Sequence, residues 1–212
     1  MIVLINPNST SSMTENMLHV AKRAAPGVHI EAWTSHDGPP AIEGPEDGEA
    51  CVPPLLALVK KAVNAGAKTI IIGCSDDTGL AEARAMTSFP VIGIGQAGYH
   101  LAALAGRRFS VVTTLDVSVP ILAANVAAYG LGGQLGRVRA SGVPVLALET
   151  DRNASTARVL DEIAIAARED DVQSVVLGCA GMAHIPAAAP SDSPVRVIDG
   201  VAAATRIAAA LQ

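Results

Sequence analysis

The chain has 212 residues, half of them apolar, with 17% charged, 2% aromatic and a formal net charge of −5. This composition, with a mean hydropathy of +0.38, excludes a disordered chain, and the length supports one large domain or two small ones. An acidic pI near 5.5 without a basic run, and only five aromatic side chains, leave no footprint for nucleic acid.

Three cysteines without a CxxC pair fit neither a disulfide framework nor a zinc knuckle, and predict a reducing, cytoplasmic setting. The apolar start is too short for a secretory leader and has no basic flank. The uncharged stretches 85–106 and 117–136 are interrupted by Pro, Gly and polar residues. They read as strand–turn–helix units, and no membrane partner is expected.

Short β-branched runs alternate with helical patterns, the signature of parallel βα units. Residues 2–5 read as a buried strand, followed by a helix with Met13, Met17, Val20 and Ala21 on one face and Ser12-x-x-Glu15 as a capping box. A strand is predicted at 28–33, then a long Gly/Pro/acid-rich loop over 35–52, a length typical of functional covers or disorder. A helix at 54–65 and a strand at 69–72 ending in Gly73-Cys74 complete this run. The same grammar then repeats: strand 109–112, helix 120–129, strand 143–148, helix 154–167, and strand 174–177 ending in Gly178-Cys179.

Thr69-Ile-Ile-Ile-Gly-Cys74 and Ser174-Val-Val-Leu-Gly-Cys179 match at an offset of 179 − 74 = 105 residues. Phe89-Pro-Val-Ile92 and Ser193-Pro-Val-Arg196 match at 194 − 90 = 104, and helices are predicted after each, at 99–105 and 201–211. Two matched blocks in the same order indicate an internal duplication. The expected fold is α/β: two similar domains with mainly parallel sheets related by a pseudo-twofold, and a site in the cleft between them. The division assigned is 1–96 plus 201–212 for the first domain and 97–200 for the second.

Ligands of open α/β sheets sit at the carboxyl ends of strands, where both Gly-Cys pairs fall. A lone cysteine there is most often a small buried hydrophobe. A repeat-related pair has a more specific use, because inverting a carbon acid needs a base on one face and a proton donor on the other. Cys74 and Cys179 are the candidate pair, each thiolate favoured by backbone N–H groups of the turn that follows. Cys51 has no repeat partner. Asp76 and Asp77 read as caps of the helix at 82–85, although their charge opposes a thiolate. Asn8, Ser9, Thr113 and Thr114 lie at corresponding strand ends, suited either to substrate binding or to capping. His184 reads as a satisfied loop histidine, and the remaining histidines form no ligand spacing, so no metal is expected.

Gly93-Ile-Gly95-Gln-Ala-Gly98 is a literal GxGxxG, with Asp116 beyond the next strand. It keeps open a protein of another class, a nucleotide- or ligand-binder built on this turn. The short flanking elements favour a plain strand-to-helix turn instead.

Taken together, Ile5-Asn6-Pro7-Asn8-Ser9-Thr10 with Met13-Thr14, Gly73-Cys74-Ser75-Asp76-Asp77-Thr78-Gly79-Leu80, Pro90-Val-Ile-Gly-Ile94, Val112-Thr113-Thr114 and Leu177-Gly178-Cys179-Ala180-Gly181-Met182 resemble the aspartate/glutamate/hydantoin racemase superfamily over nearly the whole chain. They look most like its hydantoin/allantoin branch. The resemblance implies a racemase of a small cyclic ureide that uses no cofactor, with Cys74 and Cys179 as acid and base. It also implies that Asn8, Ser9, Ser75, Thr113, Thr114 and the backbone at Ala180 and Gly181 surround the substrate. Amino-acid racemases of the superfamily carry Asp-Ser and Thr-His where this chain has Asn8-Ser9 and Ala180-Gly181, which argues against free glutamate or aspartate. Cys74 argues against an arylmalonate-type decarboxylase, whereas a maleate-type isomerase keeps both cysteines and stays open. Ala-rich helix faces with few charges are compatible with a homo-oligomer.

Overall fold

The computed structural model describes residues 1–104 and 108–212, so the predicted helix end at Ala105 lies outside the described residues. The first half runs β1 (Ile2–Asn6), α1 (Ser11–Ala24), β2 (Ile30–Thr34), α2 (Pro45–Asn64), β3 (Thr69–Ile72), α3 (Leu80–Ala85) and β4 (Val91–Gly93). Helix α4 (Ile94–Leu104) leads into β5 (Phe109–Thr113), α5 (Val119–Ala128), β6 (Leu135–Ala140), α6 (Ala147–Thr150) and α7 (Arg152–Glu169). The chain ends with β7 (Ser174–Leu177), α8 (Ile185–Ala188), β8 (Arg196–Ile198) and α9 (Gly200–Ala210).

The strands form two four-stranded sheets, ordered β2-β1-β3-β4 and β6-β5-β7-β8. Every pairing is parallel. The sheets match strand for strand, as the duplication predicts. The inner strands β1, β3, β5 and β7 are buried along their whole length, which explains their runs of Ile and Val without polar alternation. Helices α1 and α9 cover one face of the first sheet, setting Met17, Ala21, Val201 and Ala204 against Ile2, Leu4 and Ile71. Helix α2 covers the other with Leu55, Val59 and Ala62. The second sheet lies between α7 and the pair α4 and α5, whose Tyr99, Ala102, Leu122 and Val126 pack on Phe109, Val111 and Val176. The helix that follows each sheet's last strand therefore packs on the other half, and α4 and α9 touch one another. None of the described helices is long and apolar enough to cross a membrane.

Several elements differ from the sequence reading. The outer strand of the second sheet is β6, not 143–148. Leu135-Gly-Arg-Val-Arg-Ala140 reads as polar because of its two arginines, yet Arg139 is buried with a bidentate pairing to Asp170 at 2.6 and 2.8 Å. Glu169 and Glu162 complete its surroundings. Buried charge is tolerated where it is paired in this way. The loop expected over 35–52 ends at residue 44, because α2 starts with Pro45 in its first turn followed by Glu46 and Asp47. Both favour a helix start. Pro54, read as the start, lies inside the helix together with Pro53. The capping box of α1 does not form, since the N-cap is Thr10, whose hydroxyl donates instead to Pro40 O at 2.7 Å.

The GxGxxG segment has a structural use at each glycine. Asp77, in the left-handed region at φ 51°, turns its carboxylate onto the start of α4. There it accepts N–H groups from Gly95 at 3.1 Å and Gln96 at 2.7 Å, and the Tyr129 hydroxyl at 2.8 Å. A Cβ at Gly93 would overlap Asp77 Oδ1, and one at Gly95 would overlap the Ser75 carbonyl. Gly98 lies between β7 and α9, where a Cβ would come within 2.8 Å of Val176 Cγ1 and 3.5 Å of Gly200 Cα. A helix N-terminus of this kind holds a phosphate in dinucleotide folds; here the chain's own carboxylate fills it, which removes the basis of the nucleotide-binding alternative. Asp77 thus caps a helix, but α4 rather than the predicted α3. Gly95→Ala should destabilise the fold by at least ~1–3 kcal/mol, the cost of overpacking, read as a lowered urea midpoint with unchanged slope. An unaltered midpoint would contradict this account of the motif.

Candidate active site

Cys74 and Cys179 follow β3 and β7 at the same carboxyl-end position of the two sheets. They line one cavity between the halves, with Asn8, Met13, Ile42, Gly73, Ser75, Asp76, Thr114, Ser118, Val145, Gly178, Ala180 and Gly181. Its volume is about 30 Å³, room for about one water.

Of the predicted site residues, Asn8, Ser75, Thr114, Ala180 and Gly181 join the cysteines there, while Ser9 and Thr113 do not line the cavity. Thr113 donates its hydroxyl to Gly178 O at 3.1 Å, which ties the ends of β5 and β7 together. Ser9 uses its N–H on Pro39 O at 2.9 Å. Asn8 spends its side-chain oxygen on Asn6 Nδ2 at 2.8 Å and Thr10 N at 3.0 Å, leaving its amide N–H groups, one of them 3.5 Å from Met13 Sδ, on the cavity side. Cys51 is buried in α2 and donates to Gly48 O. His184 hydrogen bonds to Thr156 at 2.9 Å and, like Cys51, does not line the cavity.

Each cysteine sulfur receives the backbone N–H of the residue two positions on, Asp76 for Cys74 and Gly181 for Cys179. These positions correspond in the repeat. The N–H groups favour a thiolate, but burial outweighs them. Burial pushes the Cys179 thiol up to about 12, and the charges of Asp76, Glu43 and Glu149 push the same way. Burial, then Asp76, holds the Cys74 thiol well above its ordinary range. Burial therefore favours the protonated form of both sulfurs at neutral pH. Asp76 itself is raised by burial to about 6. Among the described residues it is the only ionisable one besides the cysteines to line the cavity, and no Lys, Arg or His joins them. Nor, among the described residues, are three His, Cys, Asp or Glu side chains grouped to hold a metal ion.

The segment 35–44 closes one side of the cavity. Ile42 lines it, Glu43 accepts the Val145 N–H of the opposite half at 2.6 Å, and Gly44 abuts Val117. Asn16 bridges to Glu149 at 3.1 Å, and Asn125 donates to Asp76 O at 2.7 Å. Sequence reasoning did not single out Ile42, Ser118 or Val145 as lining residues. They carry no chemical signature, and only the long loop before α2 hinted at a cover.

The Asp/Glu/Hydantoin racemase family model matches residues 2–208. A hydantoin racemase of Rhizobium meliloti is 44% identical over 213 residues, which span 99% of this chain and 88% of that protein. The allantoin racemase of Klebsiella pneumoniae superposes with a TM-score of 0.95 at 34% identity, covering 99% of this chain and 86% of that one. That of Pseudomonas fluorescens gives 0.91 at 31%, over 99% and 89%. The fold, with paired strand-end cysteines at one cleft, and these matches place the chain in one group: it belongs to the Asp/Glu/hydantoin racemase family of isomerases.

Proposed function

We propose that this protein racemises a cyclic ureide, allantoin or a 5-substituted hydantoin, by proton transfer between Cys74 and Cys179. The observation that carries the reading is that two repeat-related thiols line one cavity whose remaining ionisable residue is a carboxylate. In the forward step one cysteine, as thiolate, takes the proton from the ring carbon beside the carbonyl. The carbon's electron pair delocalises onto that carbonyl oxygen as an enolate. The other cysteine, as thiol, delivers its proton to the opposite face and is left as the thiolate. Atoms and charge balance within the pair, and the neighbouring carbonyl supplies the acidity, so the scheme needs no cofactor. The Asn8 side-chain amide and the backbone N–H of Ala180 are suited to the enolate oxygen, while the Gly181 N–H serves the Cys179 sulfur.

The charge of the cavity favours this substrate class over the dicarboxylate of a maleate-type isomerase or a free acidic amino acid. Such an anion would meet Asp76 with no lining cation to offset the repulsion. A neutral ring avoids that cost. Names of both kinds, hydantoin and allantoin racemase, occur among the relatives, so the assay screens both enantiomers of allantoin beside several 5-substituted hydantoins by circular-dichroism decay. In D2O the wild-type protein should place deuterium at the stereocentre. Cys74→Ser and Cys179→Ser should each lower racemisation by at least ~10²-fold, the usual weight of a positioned acid or base. Full turnover in both variants would defeat the two-thiol scheme.

Because both thiols lie above their ordinary range, with burial as the first cause, the reactive thiolate grows as pH rises. The rate at limiting substrate should climb by up to about tenfold per pH unit between roughly 7 and 9, corrected for uncatalysed exchange. A plateau already reached at pH 7 would contradict the raised thiols.

A cavity for one water must widen to admit a ring, and the Glu43–Val145 bond spans the side that segment 35–44 covers. A hydrogen bond to a charged group contributes ~1.5–3 kcal/mol. Glu43→Ala should therefore speed alkylation of Cys74 and Cys179 by iodoacetamide about tenfold or more, read by mass spectrometry of the labelled peptides. Unchanged labelling would show that this bond does not hold the cleft shut.

A further inference from the structure

The two-thiol scheme leaves the lining carboxylate, Asp76, without a task. Asp76 sits in the turn from Cys74 to Asp77, closed by the Asp77 N–H on Cys74 O at 3.2 Å. Its backbone is held on both sides: its N–H points to the Cys74 sulfur, and its carbonyl accepts Asn125 from the opposite half. The next residue is pinned by its own carboxylate at the start of α4. With the backbone fixed in this way, the Asp76 side chain lines the cavity beside both cysteines. Among the described residues no side chain or amide donates to its carboxylate, and burial alone shifts its acidity. It therefore does not cap α3, the ordinary reading of an acid before a helix; the α3 N-cap is Gly79, with no side-chain bond.

An ionised carboxylate only accepts hydrogen bonds, and a half-buried one without protein donors bears part of the cost of leaving water. A ligand in this cavity relieves that cost if it brings an N–H. We infer that Asp76 is a specificity-determining residue that accepts a ring N–H of the cyclic ureide. The ring carries one such group next to the carbon that is inverted and a second between its two carbonyls, so a contact to either would orient that carbon between Cys74 and Cys179. This rests on the racemase reading above and deepens it by naming the recognition element.

The test pairs a protein change with a substrate change. The wild-type, Asp76→Ala and Asp76→Asn proteins are assayed with one 5-substituted hydantoin and its two N-methyl derivatives. Binding to a Cys74→Ser/Cys179→Ser background, with and without Asp76→Ala, is measured by calorimetry as a readout free of turnover. In the wild type, methylation at one of the two nitrogens should raise KM, and weaken calorimetric binding, about 10- to 100-fold. In Asp76→Ala that penalty should vanish, and Asp76→Asn, which keeps an acceptor oxygen, should restore part of it. If wild type racemises the parent ring but the methylation penalty is the same without Asp76, the inference falls and the racemase reading stands. If wild type exchanges deuterium into no hydantoin or allantoin, the racemase reading falls and takes the inference with it.

Discussion

The Asp77 carboxylate is the constraint on which the cleft depends. It joins the turn after β3, the start of α4 and, through Tyr129, the end of α5 in the opposite half. That turn carries Cys74 and Asp76, so freeing Asp77 would loosen a cysteine and a cavity carboxylate together. The clamp does not come from net electrostatic gain. Burial raises the Asp77 carboxyl to about 7 despite its three donors. Its proton is held more tightly folded than unfolded, so the associated stability is present at low pH and declines as pH rises from about 4 toward 7. What the clamp supplies is position. The glycines at 93 and 95 serve that end, since a side chain at either would collide with the clamp or its turn.

Burial also governs the thiols. It is the first cause at both cysteines, ahead of the carboxylates that add to it and the single backbone N–H that opposes it. A narrow, buried cleft thus disfavours the thiolate of either cysteine and strengthens each polar contact a ligand makes inside it. Reactivity and discrimination pull against one another here, because the same water exclusion that makes thiolate scarce makes an unmatched ligand charge expensive.

Much of this arrangement was legible in the chain. The Gly-Cys ends of β3 and β7 announced the duplication, and the spans 69–72 and 174–177 matched the strands residue for residue. Buried parallel strands write themselves as unbroken β-branched runs, and the strand ends follow from topology. Elements whose logic is tertiary were not legible. Strand β6 hides behind Arg139, whose partners lie on and just beyond α7. Helix α2 runs through Pro53 and Pro54 because packing of Cys51, Leu55 and Val59 outweighs the missing N–H groups. The nucleotide-binding alternative at the GxGxxG turn stayed open in the sequence for a related reason. The anion that fills the helix start comes from 18 residues earlier in the chain, and spacing alone does not distinguish an internal carboxylate from a bound phosphate.

The duplication is not complete where it touches chemistry. At an offset of 105, Asp76 corresponds to Gly181, so the two thiols share a backbone donor but not a neighbouring charge. The helix starts differ as well: α9 is capped by its own Asp199, which accepts the Val201 N–H at 2.8 Å, whereas α4 borrows Asp77. In the proposed cycle the thiols must exchange roles each time an enantiomer is inverted, so their surroundings bias which protonation state rests lower. That bias cannot favour one product at equilibrium, because enantiomers have equal free energy and their ratios of kcat to KM must match. It is confined to the separate values of kcat and KM for each enantiomer. A carboxylate on one side of the pair is therefore compatible with racemisation, and it leaves the second half free to keep Gly181, whose bare Cα lies against Leu148, where any side chain would crowd that residue.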